Sequence, residues 1–170
     1  MKNWICESPR LFCRYFTKDD IDNLFLLDSN PAVMRFINRP ALSDLDEAKI
    51  KLEKIIAYNS INPGLGIFAT IEKETNNFIG WHALKHLDNT EEIELGYRLV
   101  EEFWGKGYAT EMGKKLVQYA FEQIKLNQIV GITHFDNIAS QKVLLKCGLR
   151  YIKDAFYYGA DVRYFAIDKE

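Results

Sequence analysis

The sequence is most informative near its middle, where residues 101–111 read Glu101-Glu102-Phe103-Trp104-Gly105-Lys106-Gly107-Tyr108-Ala109-Thr110-Glu111. This stretch lies between an apolar run that predicts a strand over residues 93–99 and a periodic pattern that predicts a helix over residues 107–125. Gly105 and Gly107 allow the backbone to turn tightly and to approach a ligand closely. The first N–H groups of a helix lack internal acceptors and lie at the positive end of its dipole. The stretch therefore predicts a loop that binds a phosphate or a diphosphate.

Other interpretations of this loop are weaker. A Walker loop needs four residues between its two glycines and a Ser or Thr after the lysine, and the chain lacks both features. The dinucleotide fingerprint needs Gly or Ala where the chain has Thr110, and no repeated βαβ units follow. A nucleotide-binding oxidoreductase is therefore a less favoured alternative. The simplest alternative is a plain strand-to-helix connection that uses glycine only for turning.

On both sides of the loop, the hydrophobic periodicity of the sequence predicts an α/β fold with a mixed sheet. The predicted strands cover residues 11–16, 65–71, 78–84, 93–99, 129–133, 151–158 and 162–167. The predicted helices begin near residues 21, 32 and 45 and cover residues 107–125 and 139–147. Thr17 and Ser43, each with an aspartate three residues later, resemble helix N-caps, and Gly148 is suited to end the last helix. The three strands between residues 65 and 99 predict an antiparallel meander.

The composition favours one domain over residues 1–170, since 48% of the 170 residues are apolar and can form a core. The chain has 22 basic and 24 acidic residues, so no general basic excess favours nucleic acid. No apolar run approaches the ~20 residues of a membrane span. Glu7, Pro9 and Arg10 interrupt any secretory signal. We therefore expect neither a nucleic-acid partner nor a membrane.

Three cysteines, Cys6, Cys13 and Cys147, have no Cys-x-x-Cys spacing. This argues against a zinc site and against a disulfide framework. Reduced thiols are typical of cytoplasmic proteins. We do not expect Cys6 and Cys13 to meet across a strand pair.

Residues 104–111 resemble the acyl-CoA-binding loop of the GNAT acetyltransferases, whose pattern is Gln/Arg-x-x-Gly-x-Gly/Ala. Gly107 and Ala109 match its last two fixed positions, and Trp104 replaces Gln or Arg, as is typical of the RimJ/RimL-like branch. Further segments of the chain resemble other motifs of that branch in the same order: residues 94–99, 137–149 and 161–167. The resemblance implies the GNAT fold, a mostly antiparallel sheet with one splayed parallel strand pair.

The resemblance also implies a co-substrate, acetyl-CoA, and no metal. Backbone groups of Tyr97, Arg98 and Leu99 would pair with the pantetheine arm like an added strand, and Asn137 would hydrogen-bond the same arm. The residues implied in the diphosphate loop are Trp104, Gly105, Lys106, Gly107, Tyr108, Ala109 and Thr110.

The implied chemistry is direct transfer of an acetyl group from the thioester to an amine, with no acyl-enzyme. An ammonium must lose a proton before it attacks, so a base is needed. Glu94 is the first candidate, directly or through water, and His134 is the alternative. Ser140 is the candidate that hydrogen-bonds or protonates the departing thiol, because Leu144 occupies the position where many relatives have Tyr.

Several further expectations concern the acceptor side. In some relatives a late carboxylate completes the site, which makes Asp154 and Asp161 candidates. Trp81 and His82 could face the acceptor pocket, and Tyr157 and Tyr158 could cover the cleft or pack against the sheet. Met34 and Phe36 could line the acceptor entrance, but core packing is the simpler expectation for Met34, Phe36 and Trp81.

The acceptor itself is a primary amine: a protein N-terminus, an amino acid, a polyamine or another small amine. Three acidic residues, Glu91, Glu92 and Glu94, could attract a cationic acceptor. The alternative function is an acyl-CoA sensor with the same fold and no turnover. The protein is expected to be a cytoplasmic monomer or homodimer.

Overall fold

The computed structural model describes residues 4–170, which form a sheet of eight strands with helices on both faces. The strands are β1 (Cys6–Glu7), β2 (Leu11–Tyr15), β3 (Gly66–Glu72), β4 (Phe78–His86), β5 (Ile93–Leu99), β6 (Gln128–Thr133), β7 (Arg150–Tyr157) and β8 (Ala160–Asp168). Their order in the sheet is β1-β2-β3-β4-β5-β6-β8-β7. Every neighbouring pair is antiparallel except β5 and β6. The first three residues of the N-terminal stretch lie outside the described range.

The helices begin where their capping residues predict. They are α1 (Ile21–Asp28), α2 (Pro31–Met34), α3 (Leu45–Ile61), α4 (Tyr108–Tyr119) and α5 (Ile138–Lys146). Thr17 and Asp20 form a reciprocal capping box at a 3₁₀ turn ahead of α1. Helix α3 is capped one residue later than Ser43, because the Asp44 side chain accepts the backbone N–H of Glu47 at 2.9 Å. No helix within residues 4–170 is long and apolar enough to cross a bilayer.

Side chains alternate between the two faces of the sheet along β5, so each face has its own helices. Leu95 packs against α4 at Gly113, and this side is called the α4 face. Arg98 lies on the opposite side, where it reaches Asp28 at the end of α1, and this side is called the α1 face. Helix α3 packs beside α1, and α5 packs beside α4.

Strands β5 and β6 meet at one position and then separate. Glu94 lies opposite Val130, and this is their only paired register within residues 4–170. Beyond it, Tyr97, Arg98 and Leu99 remain paired with β4 on one side only. The predicted splayed parallel pair is therefore confirmed, and one edge of β5 opens inside the molecule.

Helices α4 and α5 approach closely because one of them carries glycine at the contact. A Cβ atom on Gly113 would lie 2.7 Å from Cys147 Sγ, closer than packed atoms allow. Leu144 is buried against β6, where Gly131 makes room for it. Leu144 therefore fills the core, and no tyrosine side chain stands at this position.

Two features differ from the sequence expectations. The short strand β1 places Cys6 opposite Cys13, so these residues do meet across a strand pair, as free thiols. The helix predicted over residues 107–125 ends its regular part at Tyr119 and continues as a π-helical turn, Ala120–Ile124. Lys125 follows in the left-handed conformation, at φ 64°, and ends the helix.

Candidate active site

The loop between β5 and α4 has the geometry of an anion cradle. Gly105 and Gly107 have φ angles of 75° and 81°, in the left-handed region that glycine tolerates without strain. Helix α4 begins at Tyr108, so the first N–H groups of Tyr108, Ala109 and Thr110 have no acceptor within the helix. These amides lie at the positive end of the α4 dipole and can receive a phosphate.

Arg10, in the turn just before β2, contacts this loop. Its Nη2 donates to the carbonyl oxygen of Lys106 at 3.0 Å, and its guanidinium lies 4.4 Å from the centre of the Tyr108 ring. Glu111 Oε2 accepts from Arg10 Nε at 2.7 Å, and Glu111 Oε1 accepts from Ser8 Oγ at 2.6 Å. Burial alone would raise the pKa of Glu111, but the hydrogen bonds from Ser8 and Arg10 lower it on balance.

The bond from Arg10 also orients the next amide. A peptide group is planar and trans, so its N–H points opposite to its carbonyl. Since the Lys106 carbonyl points at Arg10, the Gly107 N–H points away from it. Sequence reasoning missed Arg10 because it lies more than 90 residues before the loop.

His82 holds the start of α4 from the sheet. It is fully buried on the α4 face, with Nδ1 2.8 Å from Thr70 Oγ1 and Nε2 3.3 Å from the carbonyl oxygen of Ala109. Because a carbonyl only accepts, Nε2 carries the proton and Nδ1 accepts from Thr70. Burial lowers the pKa of His82 to about 4, so the ring stays neutral. His82 therefore positions α4, while its neighbour Trp81 lies on the α1 face.

Trp104 braces the end of β5. Its Nε1 donates to the carbonyl oxygen of Leu99 at 2.8 Å, while about half of the residue stays exposed. The Leu99 carbonyl is therefore already bonded within the protein. Backbone groups alternate between the two sides of a strand, and the carbonyl oxygen of Arg98 lies beside Gly80 of β4, so Tyr97 is the best placed of the three predicted pantetheine partners.

Ser140 lies beside the phenol of Tyr97 on the α4 face. Asn137 Oδ1 accepts the Ser140 N–H at 3.1 Å and caps α5, while its Nδ2 takes no part in the cap. Burial raises the pKa of Tyr97 to about 12, although a hydrogen bond with Ser140 opposes the rise. Sequence reasoning used only the backbone of Tyr97. Side chains alternate along a strand, so the Tyr97 ring lies on the same face of β5 as Leu95, which is the face that α5 covers.

Glu94 is buried in a small polar network on the α1 face, only 5% exposed. Its Oε1 accepts from Lys85 Nζ and from Tyr158 Oη, the latter at 2.6 Å. Its Oε2 accepts no hydrogen bond from residues 4–170. Burial and the Glu94 charge raise the pKa of Tyr158, so the phenol stays protonated and donates. One carboxylate oxygen thus stays open for an incoming group.

His134 is poorly arranged to act as the base. Its Nδ1 accepts the backbone N–H of Asp136 at 3.1 Å, so the proton of the neutral ring sits on Nε2. The ring centre lies 5.3 Å from that of Phe36, and the side chain is partly exposed. The nitrogen that could face an acceptor therefore already carries a proton.

The late carboxylates lie away from the Glu94 network. Asp154 is on β7, the edge strand of the sheet, and accepts from Tyr151 Oη at 2.9 Å. Asp161 is exposed near the start of β8. Neither is among the hydrogen-bond partners of Glu94.

The acidic residues near the start of β5 do not form one open negative patch. Glu92 accepts from Tyr164 Oη, and Glu94 is paired with Lys85, so both charges are engaged. Glu91 is exposed in the preceding turn. The expected attraction for a cationic acceptor is reduced accordingly.

The loop after α2 reaches the same end of the sheet. Asn38 Nδ2 donates to the carbonyl oxygens of Tyr158 and Gly159, both at 3.1 Å. This contact brings the early loop and the β7–β8 turn together around the Glu94 network. Of the aromatic residues considered for the acceptor side, Phe36 and Tyr158 lie at this end.

These features combine an amide-lined helix start, an open strand edge beside it and a buried carboxylate. Residues 10–150 match the family model described as "Acetyltransferase (GNAT) domain". The chain belongs to the GNAT family. The family that residues 104–111 resemble is confirmed, and the protein is an acyltransferase enzyme.

This GNAT acetyltransferase is 32% identical over 150 residues to the uncharacterized N-acetyltransferase YoaA of Bacillus subtilis, covering 86% of this chain and 82% of YoaA. In fold it resembles RimL, the ribosomal L7/L12 alpha-N-protein acetyltransferase solved with coenzyme A, at a TM-score of 0.82 and 18% identity over 97% of each chain. It also resembles the spermidine N-acetyltransferase of Vibrio cholerae solved with CoA and spermine, at a TM-score of 0.77 and 20% identity over 94% of this chain and 95% of that one. A sensor without turnover finds no support among these proteins.

Proposed function

We propose that this protein transfers the acetyl group of acetyl-CoA directly to a primary amine. The observation that carries the proposal is the open edge of β5, which leads to the unpaired amides at the start of α4. A pantetheine arm carries amides that can pair with such an edge, and its diphosphate suits a helix N-terminus.

The proposed co-substrate contacts divide between the edge and the loop. Tyr97, with smaller contributions from Arg98 and Leu99, would bind pantetheine through backbone groups. Asn137 would donate from Nδ2, which its helix cap leaves unused. The proposed diphosphate contacts are the loop residues Trp104, Gly105, Lys106, Gly107, Tyr108, Ala109 and Thr110.

Glu94 is the proposed proton acceptor, directly or through one water. Lys85 and Tyr158 hold its Oε1, which leaves Oε2 to receive the amine proton. The protons of an amine nitrogen become much more acidic once that nitrogen bonds to the acyl carbon, so a carboxylate is a competent acceptor at that stage.

Ser140 and Tyr97 would stabilise the departing thiol by hydrogen bonding. An ordinary thiol has a pKa of about 8.5, whereas that of Tyr97 is raised to about 12. Proton transfer from Tyr97 to the thiolate would therefore run uphill by about 5 kcal/mol. A hydrogen bond to the sulfur needs no such transfer and still stabilises the developing charge.

The acceptor class remains part of the proposal. RimL is named for acting on a protein N-terminus and the Vibrio cholerae enzyme for acting on spermidine, so one fold serves both kinds of amine. We propose for this chain a single cytoplasmic domain over residues 1–170, as a monomer or homodimer, that acts on a protein N-terminus or a small amine.

The test measures thiol release from acetyl-CoA with a panel of peptides, amino acids and polyamines. We expect release that requires both an amine and the protein. Ser140→Ala should lower kcat about tenfold with little change in the Kd for CoA. Tight CoA binding with no release for any amine would instead indicate a sensor. Retention of NAD without affinity for CoA would favour the oxidoreductase alternative.

A further inference from the structure

A second charged cluster on the α1 face has more positive than negative groups. Asp28 is fully buried at the end of α1, where its Oδ1 accepts from Arg98 Nη1 at 2.6 Å and its Oδ2 accepts from Lys51 Nζ. One carboxylate therefore faces two cations. Burial lowers the pKa of Lys51, and the charges of Arg98 and Arg39 lower it further against the effect of Asp28. A third cation, Arg39, thus lies within electrostatic range.

Two buried donors in this cluster lack acceptors. Arg98 Nε and Trp81 Nε1 make no hydrogen bond within residues 4–170. The Arg98 guanidinium lies 5.1 Å from the centre of the Trp81 ring, and Trp81 is 8% exposed. Buried N–H groups are nearly always bonded, and both of these groups can only donate. The group that would complete the cluster is therefore a hydrogen-bond acceptor.

The cluster adjoins the proposed reaction site. Arg98 directly follows Tyr97, so their Cα atoms are about 3.8 Å apart, while their side chains lie on opposite faces of β5. The thiol leaves beside Tyr97 and Ser140 on the α4 face. An amine that approaches the open edge of β5 from the α1 face passes Arg98. Lys51 keeps 29% of its side chain exposed, which leaves this side accessible from solvent.

We propose that Arg98, Lys51 and Trp81 bind an anionic group of the acceptor, so that the preferred substrate is a small amine carrying a carboxylate or a phosphate. This inference rests on the proposed function and names its substrate class. Arg98 and Lys51 share the single negative charge of Asp28, and an anion at this point supplies the second negative charge while it accepts from the two unpaired donors. A polyamine would place further positive charge beside Arg98 and Lys51.

The test uses pairs of amines that differ only in the anion. Glycine and glycinamide, L-serine and L-serinamide, and O-phosphoethanolamine and ethanolamine form such pairs, with rates expressed per unprotonated amine. We expect kcat/KM to be about tenfold or more higher for the anionic member of at least one pair, as for a charge-assisted hydrogen bond. The carboxylate and phosphate pairs distinguish the two anions.

Matched variants on one helix locate the effect. Lys51→Gln should reduce the preference for the anionic member through KM, whereas Lys49→Gln, an exposed position two residues earlier, should leave the preference unchanged. Arg98→Lys keeps the charge but lacks the Nε donor, so it should also reduce the preference. Calorimetry with CoA-saturated protein should show the same order of affinities for glycine and glycinamide.

Two results would overturn this inference, and they differ in what they imply for the acetyltransferase proposal. Equal or better transfer to spermidine and to the neutral members would contradict it while leaving the acetyltransferase proposal intact. Absence of transfer to every amine, with CoA bound, would contradict both proposals together.

Discussion

Arg10 lies far in sequence from the loop between β5 and α4, yet it sets the direction of one peptide group within that loop. Its bond to the Lys106 carbonyl turns the Gly107 N–H away from β2. Glu111, in the first turn of α4, holds Arg10 in place through two oxygens and also binds Ser8. The orientation of this loop thus depends on the Arg10–Glu111 ion pair, whose members are too far apart in sequence to belong to one motif.

Removal of Arg10 should weaken co-substrate binding. We expect Arg10→Ala to raise the Kd for CoA about tenfold, because the Gly107 amide loses its fixed orientation. Titration calorimetry measures the effect, and Arg150→Ala, an exposed position on β7, serves as the control. An unchanged Kd for Arg10→Ala would show that the glycines orient the loop without help.

Tyr97 and Ser140 should act on the same step. Tyr97→Phe removes the phenol but keeps the ring beside His82, at a centre distance of 5.8 Å. We expect kcat to fall about threefold to tenfold. The double variant with Ser140→Ala should fall by less than the product of the single effects, since Ser140 is close enough to Tyr97 to influence the pKa of its phenol. Multiplicative losses in steady-state kinetics would contradict a shared role.

At the level of elements, the position of α4 follows from contacts on three sides. His82 holds its first turn from β4, Glu111 ties it to the turn between β1 and β2, and Gly113 lets α5 approach it. The sequence predicted where α4 begins, because Gly107 and the apolar periodicity are local signals. It did not predict these lateral contacts, because they join residues far apart in the chain. Glu94 and Ser140 were found as candidates through a family motif, while Lys85, Tyr158 and the Tyr97 phenol needed the folded structure.

The burial of His82 predicts a pH-dependent stability. An unfolded histidine has a pKa of about 6.5, and the folded ring has a pKa of about 4. The unfolded state therefore takes up a proton between these values while the folded state does not, and the free energy of unfolding falls as the pH falls through this window, by up to about 3 kcal/mol.

Denaturant unfolding at pH 7 and at pH 4.5 measures this loss. His82→Gln retains a donor and an acceptor but does not titrate, so its stability should depend less on pH in this window. The same decrease in both proteins would assign the effect to other groups.

For the whole molecule, the sheet consists of two parts that share one paired position. The part formed by β1 to β5 meets the part formed by β6 to β8 at Glu94 and Val130. The α4–α5 contact joins the parts on one face, and Asn38 and Tyr158 join them on the other. The co-substrate would enter between the two parts and contact both.

Bound CoA should therefore act as an added strand. At 100 times its Kd it should stabilise the protein by about 2.7 kcal/mol and slow hydrogen exchange at residues 97–99 and 107–110. ADP, which lacks pantetheine, should protect only residues 107–110. Gly107→Glu should abolish both effects, because it places a carboxylate in the loop at a φ of 81°. Protection of the strand by ADP would contradict the proposed division of contacts.

The separation of β5 from β6 has one more consequence. Free strand edges on a protein surface invite other chains to add to the sheet and so promote aggregation. Here the unsatisfied edge at residues 97–99 faces β6 of the same molecule, inside a wedge that narrows to the Glu94–Val130 contact. A slender linear molecule fits such a wedge, whereas a polypeptide strand with side chains on both faces does not. The edge that the proposed co-substrate would pair with is thus shielded from the strands of other protein chains.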